Sequence, residues 1–194
     1  MFLLKKNYWE ILKTKEKGYG VFLKKKITKG TIIGDYIGKV IETSKYNLKN
    51  DKNGLYLMYY TDKAAIYPNL KKPGIHLLNH SCKPNCWIYT YCGHTLFFAI
   101  RNIKAGEELT ISYLLPPKDA TCNPCTHNCR CGSKTCTGTM HLTKEKFKKW
   151  QKFQDKEKKK TKIAKFVFGK NLLKLKLYPK IIPNNSIYKV ITYL

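Results

Sequence analysis

Arginine is nearly absent from this chain: of 38 basic residues only Arg101 and Arg130 carry a guanidinium, and the rest are lysine. Arginine is the usual choice for bidentate recognition of phosphates and base edges, so base readout is not the function this composition favours. Acidic residues are scarce too, 12 in 194, which leaves a formal net charge of +26. That imbalance suits diffuse attraction to a polyanion such as nucleic acid, or to a particle wrapped in it. Long apolar runs are missing. No window reaches the roughly 18 apolar residues of a membrane span. Met1-Phe2-Leu3-Leu4 is followed at once by Lys5-Lys6, too short a stretch for a secretory signal. With no route to an oxidising compartment, the eight cysteines read as metal ligands or free thiols and not as disulfides.

What is present argues for a folded globule with an appendage: 43% hydrophobic and 13% aromatic residues are enough to bury a core. Residues 1–120 hold 20 basic and 9 acidic side chains, while residues 121–194 hold 18 and 3, so the shorter segment carries the larger net charge. From Tyr19 to about Tyr113 the chain reads as short strands broken by Gly, Pro and Asn. These are Gly20 to Leu23, Thr31 to Ile33, Tyr36 to Ile41, Leu55 to Tyr60, Trp87 to Tyr91, Thr95 to Ile100 and Leu109 to Ile111. Thr28-Lys29-Gly30 and Lys104 to Glu108 read as turns, and Thr43 to Lys49 as one short helix. The fold class expected is mainly β, built of small sheets. From Leu142 to about Lys160 the pattern turns helical, with Phe147, Trp150 and Phe153 as a packing stripe. Glu157 to Lys162 reads as its solvated basic end, a candidate nucleic-acid patch. Residues 163–194 show β-like alternation in places and no readable chemistry.

Asn79-His80-Ser81-Cys82-Lys83-Pro84-Asn85-Cys86 packs two amides, an imidazole, a hydroxyl and two thiols into eight residues. Directly after the apolar Ile75-His76-Leu77-Leu78, so polar a segment needs its hydrogen bonds satisfied by a ligand or a tightly specified crossing of the chain. Residues 116–140 have almost no apolar content and cannot bury a core, so they need a staple. Cys129-x-Cys131-x4-Cys136 has the spacing to wrap one tetrahedral zinc at about 2.3 Å per thiolate. Cys86 is the candidate fourth ligand. Cys122-x-x-Cys125, supplemented by His127, competes with it.

Lys17-Gly18-Tyr19-Gly20-Val21-Phe22, Tyr36-Ile37-Gly38, the octamer, and Arg101 through Glu107-Glu108-Leu109-Thr110-Ile111-Ser112-Tyr113 occur in that order. Together they resemble the SET-domain protein lysine methyltransferases, and Cys129-x-Cys131-x4-Cys136-Thr137-Gly138 is similar to their post-SET zinc motif. The resemblance covers about residues 8–141. It implies a SET domain over 8–115 (small sheets, a β-clip with a pseudoknot), a post-SET zinc segment over 116–141, and a partly helical basic extension over 142–194. It also implies S-adenosylmethionine and zinc as cofactors. By position, Gly18, Tyr19 and Gly20 with Asn79 and His80 would hold the cofactor. Tyr113 would be the active-site tyrosine and Tyr36 would line the lysine channel. Cys86, Cys129, Cys131 and Cys136 would take the metal.

The chain departs from the family pattern at Lys39 and Ser112, where glutamate and aspartate are common; neither position touches the reacting atoms. At Ile111, where many members carry Phe or Tyr, an aliphatic side chain leaves more room and implies di- or trimethylation. The expected substrate is a basic, histone-like protein on nucleic acid. The expected setting is nuclear or chromosomal, with no membrane contact and a monomeric chain. The alternative is a non-enzymatic, zinc-stapled binding module for nucleic acid or chromatin on the same fold.

Overall fold

The computed structural model describes residues 1–45, 56–120, 122–158, 165–182 and 186–191. Its architecture is mainly β, in four small sheets. β1 (Trp9–Lys13) and β2 (Tyr19–Leu23) form an antiparallel pair. β3 (Ile32–Asp35), β9 (His94–Ala99) and β8 (Cys86–Tyr91) form a three-stranded sheet with β9 at its centre. β4 (Lys39–Glu42), β6 (Ala64–Tyr67) and β5 (Met58–Thr61) form a second. β7 (Asn79–His80) and β10 (Thr110–Ile111) make a short parallel pair, with Thr110 opposite Asn79 and Ile111 opposite His80.

Burial explains why these segments are strands. Every residue of β9 is buried, and the run Leu96-Phe97-Phe98-Ala99 is apolar throughout because β9 is central in its sheet. β8 joins β9 through Cys92-Gly93, whose positive φ values of 48° and 79° give the tight hairpin the twist it needs. Gly30 and Gly106 sit at positive φ in the two turns read from sequence. Thr43–Lys45 forms a single 3-10 turn; the rest of the helix expected there, and Leu55, lie outside the described residues.

α1 (Lys144–Lys158) opens where the Thr143 hydroxyl accepts from the Lys146 N–H, and it carries the aromatic stripe. Trp150 is buried, edge-on to Trp87 at 5.8 Å between centroids and stacked on Phe153 at 5.7 Å. Trp150 and Phe153 therefore close an apolar cluster with Ile32, Leu96 and Phe98. The expected basic end of this helix runs on into residues 159–162, outside the described set.

The C-terminal segment has a structural role that sequence left open. Val40 donates to the Lys170 carbonyl and accepts from Gly169, and Leu172 donates to the Gly38 carbonyl. Ile32 donates to the Lys180 carbonyl, and Ile182 to that of Gly30. Residues 169–182 thus cover the free edge of one three-stranded sheet at β4 and the start of β3 in the other, whose remaining outer edge pairs with residues 1–4 through Leu3, Leu4 and Met1. Leu172 and Ile182 are buried there. Tyr178 donates to Asp35 Oδ2 at 2.8 Å, and buried His94 meets the same oxygen at 2.7 Å. α2 (Ser186–Ile191) follows, with Ile187 buried.

Candidate active site and metal centres

The polar octamer is satisfied by a crossing. Asn85 is buried; its Oδ1 accepts from the Thr110 N–H at 2.9 Å and its Nδ2 donates to the Glu108 carbonyl at 2.8 Å. The Ser81 N–H donates to the Ile111 carbonyl. One amide side chain therefore bridges the octamer to the strand leading to Tyr113, pairing groups that burial would otherwise leave without water.

On one side of this crossing lies a cavity of about 440 Å³. Tyr36, Leu78, Phe97, Ile111 and Tyr113 line it, and Phe147 and Trp150 of α1 contribute to its wall. The Tyr36 hydroxyl donates to the Tyr56 carbonyl, and the Tyr113 hydroxyl to that of Leu78 at 3.4 Å. Burial pushes the Tyr36 phenol well above its usual range. Burial, with the neighbouring Tyr56, pushes that of Tyr113 up to about 12. Both phenols stay protonated at neutral pH.

Gly18 takes φ +73° in the turn between β1 and β2. A Cβ on Gly20 would come within 2.6 Å of Glu108 Oε1 and 2.9 Å of Asn79 Nδ2, so a larger residue there would displace those two side chains. The Asn79 amide donates to the Tyr19 carbonyl at 3.1 Å and to Glu108 at 2.8 Å, and Lys17 pairs with Glu108 at 2.6 Å. The Tyr19 ring is 61% exposed beside this patch. The predicted cofactor residues Gly18, Tyr19, Gly20 and Asn79 thus gather in one place.

His80 behaves differently from its neighbour. Its Nδ1 accepts from the Tyr113 N–H at 3.2 Å, which leaves the proton on Nε2, 3.6 Å from Cys82 Sγ. Burial, helped by Lys17, lowers its pKa to about 4. The imidazole is neutral and ties the segment after β10 to a thiol cluster.

That cluster corrects one expectation. Cys82, Cys129, Cys131 and Cys136 bring their sulfurs within 4.8 Å of one another. Cys82 lies 3.6 Å from Cys129 and 4.0 Å from Cys136. A tetrahedral zinc at 2.3 Å from each thiolate sets its sulfurs about 3.8 Å apart, so the donor set fits. Cys86, expected as the fourth ligand, is not in the cluster. It opens β8 opposite Ala99, fully buried in the core, and its thiol donates to Asn85 Oδ1 at 3.2 Å. Burial pushes that thiol up, away from the thiolate a metal needs. The missed signal was local: Cys86-Trp87-Ile88 starts a strand, whereas Cys82 sits in the bend before Pro84. At Cys131, burial raises the thiol pKa but is outweighed by the N–H groups of Cys82 and Ser133 and by adjacent thiols, leaving it at about 6.

Cys122, Cys125, His127 and His141 form a second group with donor atoms within 4.8 Å of one another. Sequence offered the first three as a competitor for the one metal; His141 was not anticipated.

The family model of the SET domain matches residues 18–114. Among curated proteins, the chain is 29% identical over 167 residues to the human "Histone-lysine N-methyltransferase, H3 lysine-36 specific", covering 75% of this chain and 6% of that protein. It is 33% identical over 146 residues to "Histone-lysine N-methyltransferase Su(var)3-9" of Drosophila pseudoobscura pseudoobscura, covering 61% and 22%. It is 31% identical over 140 residues to "Histone-lysine N-methyltransferase trithorax" of Drosophila virilis, covering 68% and 4%. The chain therefore spans less than a quarter of the length of each of these relatives.

Proposed function

The chain belongs to the SET-domain family, and on that premise we propose that it is a protein-lysine N-methyltransferase using S-adenosylmethionine. The observation that carries this reading is the position of Tyr113. It lines the cavity and its N–H donates to His80, while the neighbouring Asn79 joins Gly20, Lys17 and Glu108 beside the β1–β2 turn. A lysine amine entering by the cavity and a cofactor seated at the glycine turn would meet beside one phenol.

The residues at the turn fit the cofactor. Lys17 and Glu108, paired with each other at 2.6 Å, supply opposite charges that would part to match the carboxylate and ammonium of its methionyl group; both Asn79 N–H groups are already given to Tyr19 and Glu108, so that side chain would hold the cradle's shape. When bound, S-adenosylmethionine supplies an electrophilic methyl on a cationic sulfur. This chain's residues do the rest. Leu78, Phe97 and Ile111 strip water from the incoming lysine, which favours the neutral amine over an ammonium of pKa about 10.4. The Tyr113 hydroxyl, held protonated, orients that amine, and Tyr36 walls the channel. Alignment of amine and methyl beside Tyr113 would supply much of the rate. Cys82, Cys129, Cys131 and Cys136 would hold the structural zinc and dock the cysteine-rich segment onto His80.

The substrate class we assign is histones or other basic proteins carried on nucleic acid. A chain of net charge +26 repels a free basic peptide and is drawn to one wrapped in polyanion. The test is labelled methyl transfer from S-adenosylmethionine to nucleosomes, free histones and bulk lysate side by side. Transfer should be greatest on nucleosomes, fall with salt, and vanish in Tyr113→Phe. No transfer to any of the three overturns the enzyme reading in favour of a non-enzymatic binding module. Equal, salt-independent rates on free and wrapped histones overturn the substrate assignment alone.

A further inference from the structure

We propose that Cys122, Cys125, His127 and His141 form a second tetrahedral zinc site, separate from the four-thiol cluster. A zinc bound by two thiolates and two imidazoles sets its sulfur and nitrogen ligands about 3.5 Å apart and its nitrogens about 3.3 Å apart. In the structure Cys122 Sγ lies 3.4 Å from both His127 Nδ1 and His141 Nε2. Cys125 Sγ lies 3.9 and 3.5 Å from the same two atoms. The two nitrogens are 3.1 Å apart.

A second observation points to a cation. His141 Nδ1 is 2.6 Å from the Pro116 carbonyl oxygen, which can only accept, so the ring's proton sits on Nδ1. Nε2 therefore presents a lone pair to His127 and the thiols. Fixing one ring nitrogen on a backbone carbonyl so that the other is free is how metal-bound histidines are oriented. Zinc binding here would release the two thiol protons and leave a neutral site.

The placement gives the site a purpose. Residues 127–140 form a hairpin, with Met140 donating to the His127 carbonyl and Cys129 to that of Gly138. The four-thiol cluster pins it on Cys82, and the second site closes its base. There His141 runs beside Leu115 in a parallel bridge and Leu142 donates to the Leu115 carbonyl. Leu115 and Pro116 line the large cavity, so the second zinc would brace that wall. Pinned at one end only, a segment with so little apolar content would be free to swing at the other.

The test is metal content of the full chain by native mass spectrometry, and it is independent of methyl transfer. Wild type should hold two zincs, and Cys122→Ser/His141→Gln and Cys129→Ser/Cys131→Ser one each. One zinc in the wild type, kept by Cys122→Ser/His141→Gln and lost from Cys129→Ser/Cys131→Ser, overturns the second site while the first stands. Two zincs in Cys122→Ser/His141→Gln, or a Cys122–Cys125 disulfide in the wild type, also overturns it. Cobalt titration of the wild type needs no variant. Sulfur-to-cobalt charge transfer should saturate at two equivalents, one ion adding half the intensity of the other; saturation at one equivalent refutes the site.

Discussion

Replacing Asn85 with alanine should cost this protein a large part of its stability, although the side chain touches neither cavity wall nor metal ligand. The amide makes two short hydrogen bonds across the crossing, from the Thr110 N–H at 2.9 Å and to the Glu108 carbonyl at 2.8 Å. Asn85 is 4% exposed, so no water replaces those bonds when the side chain is removed. A buried group left without its partner costs about 1–3 kcal/mol, and two such groups give about 2–6 kcal/mol. Set against a usual folding stability of about 5–15 kcal/mol, that is enough to bring the chain near unfolding. Asn69 supplies the control: its Oδ1 also accepts a backbone N–H, from Lys71 at 3.0 Å, but in the open. Asn69→Ala should therefore cost no more than about 0.5 kcal/mol. Urea denaturation of both variants at equal slope reads the difference directly. A loss below about 1 kcal/mol for Asn85→Ala would refute the claim that this amide holds the crossing together.

Other substitutions test the site itself. Ile111→Phe fills part of the cavity beside Tyr113, and mass spectrometry should show di- and trimethyl products give way to monomethyl; an unchanged product pattern rejects Ile111 as the determinant. Cys82→Ser should lose one equivalent of zinc and Cys86→Ser none; the reverse result would restore Cys86 as the ligand. Burial, with the chain's amino terminus nearby, lowers the His76 pKa to about 4. The unfolded chain then binds a proton that the folded site refuses below about pH 6.5, so stability holds above that pH and falls towards pH 4. His76→Gln should flatten that fall in Tm, and an equal fall in both proteins excludes His76 as its source.

The strands most legible in the sequence were those whose own side chains are buried. Leu96-Phe97-Phe98 is a strand by composition and a central one by burial. β1 was missed because Glu10 and Lys13 interrupt its apolar pattern, and only pairing with β2 makes it a strand. β6 was missed because Ala64 and Ala65 are poor strand formers; burial between β4 and β5 decides there. The motifs brought Tyr36 and Tyr113 to one cavity and Tyr19, Gly20 and Asn79 together beside the Gly18 turn. Spacing could not choose between Cys82 and Cys86. That choice turns on which thiol faces the core, a property of the strand and not of the motif. His141 lay beyond any local spacing, since it reaches Cys122 only because residues 127–140 fold back as a hairpin.

The edge-covering segment sets an order of events during synthesis. β3 and β4 emerge from the ribosome early, yet the residues that cap their edges, 169–182, come more than 120 positions later. Until then β4 and the start of β3 present unpaired N–H and C=O groups to solvent and to neighbouring chains, while the rest of β3 already has residues 1–4 as its partner. Premature termination near residue 141 would keep Tyr36, Asn79, His80, Tyr113 and both thiol clusters, but lose α1 from the cavity wall and leave the β4 edge bare. The lysines of that late segment, among them Lys170, Lys174, Lys176 and Lys180, then act as gatekeepers as well as edge covers.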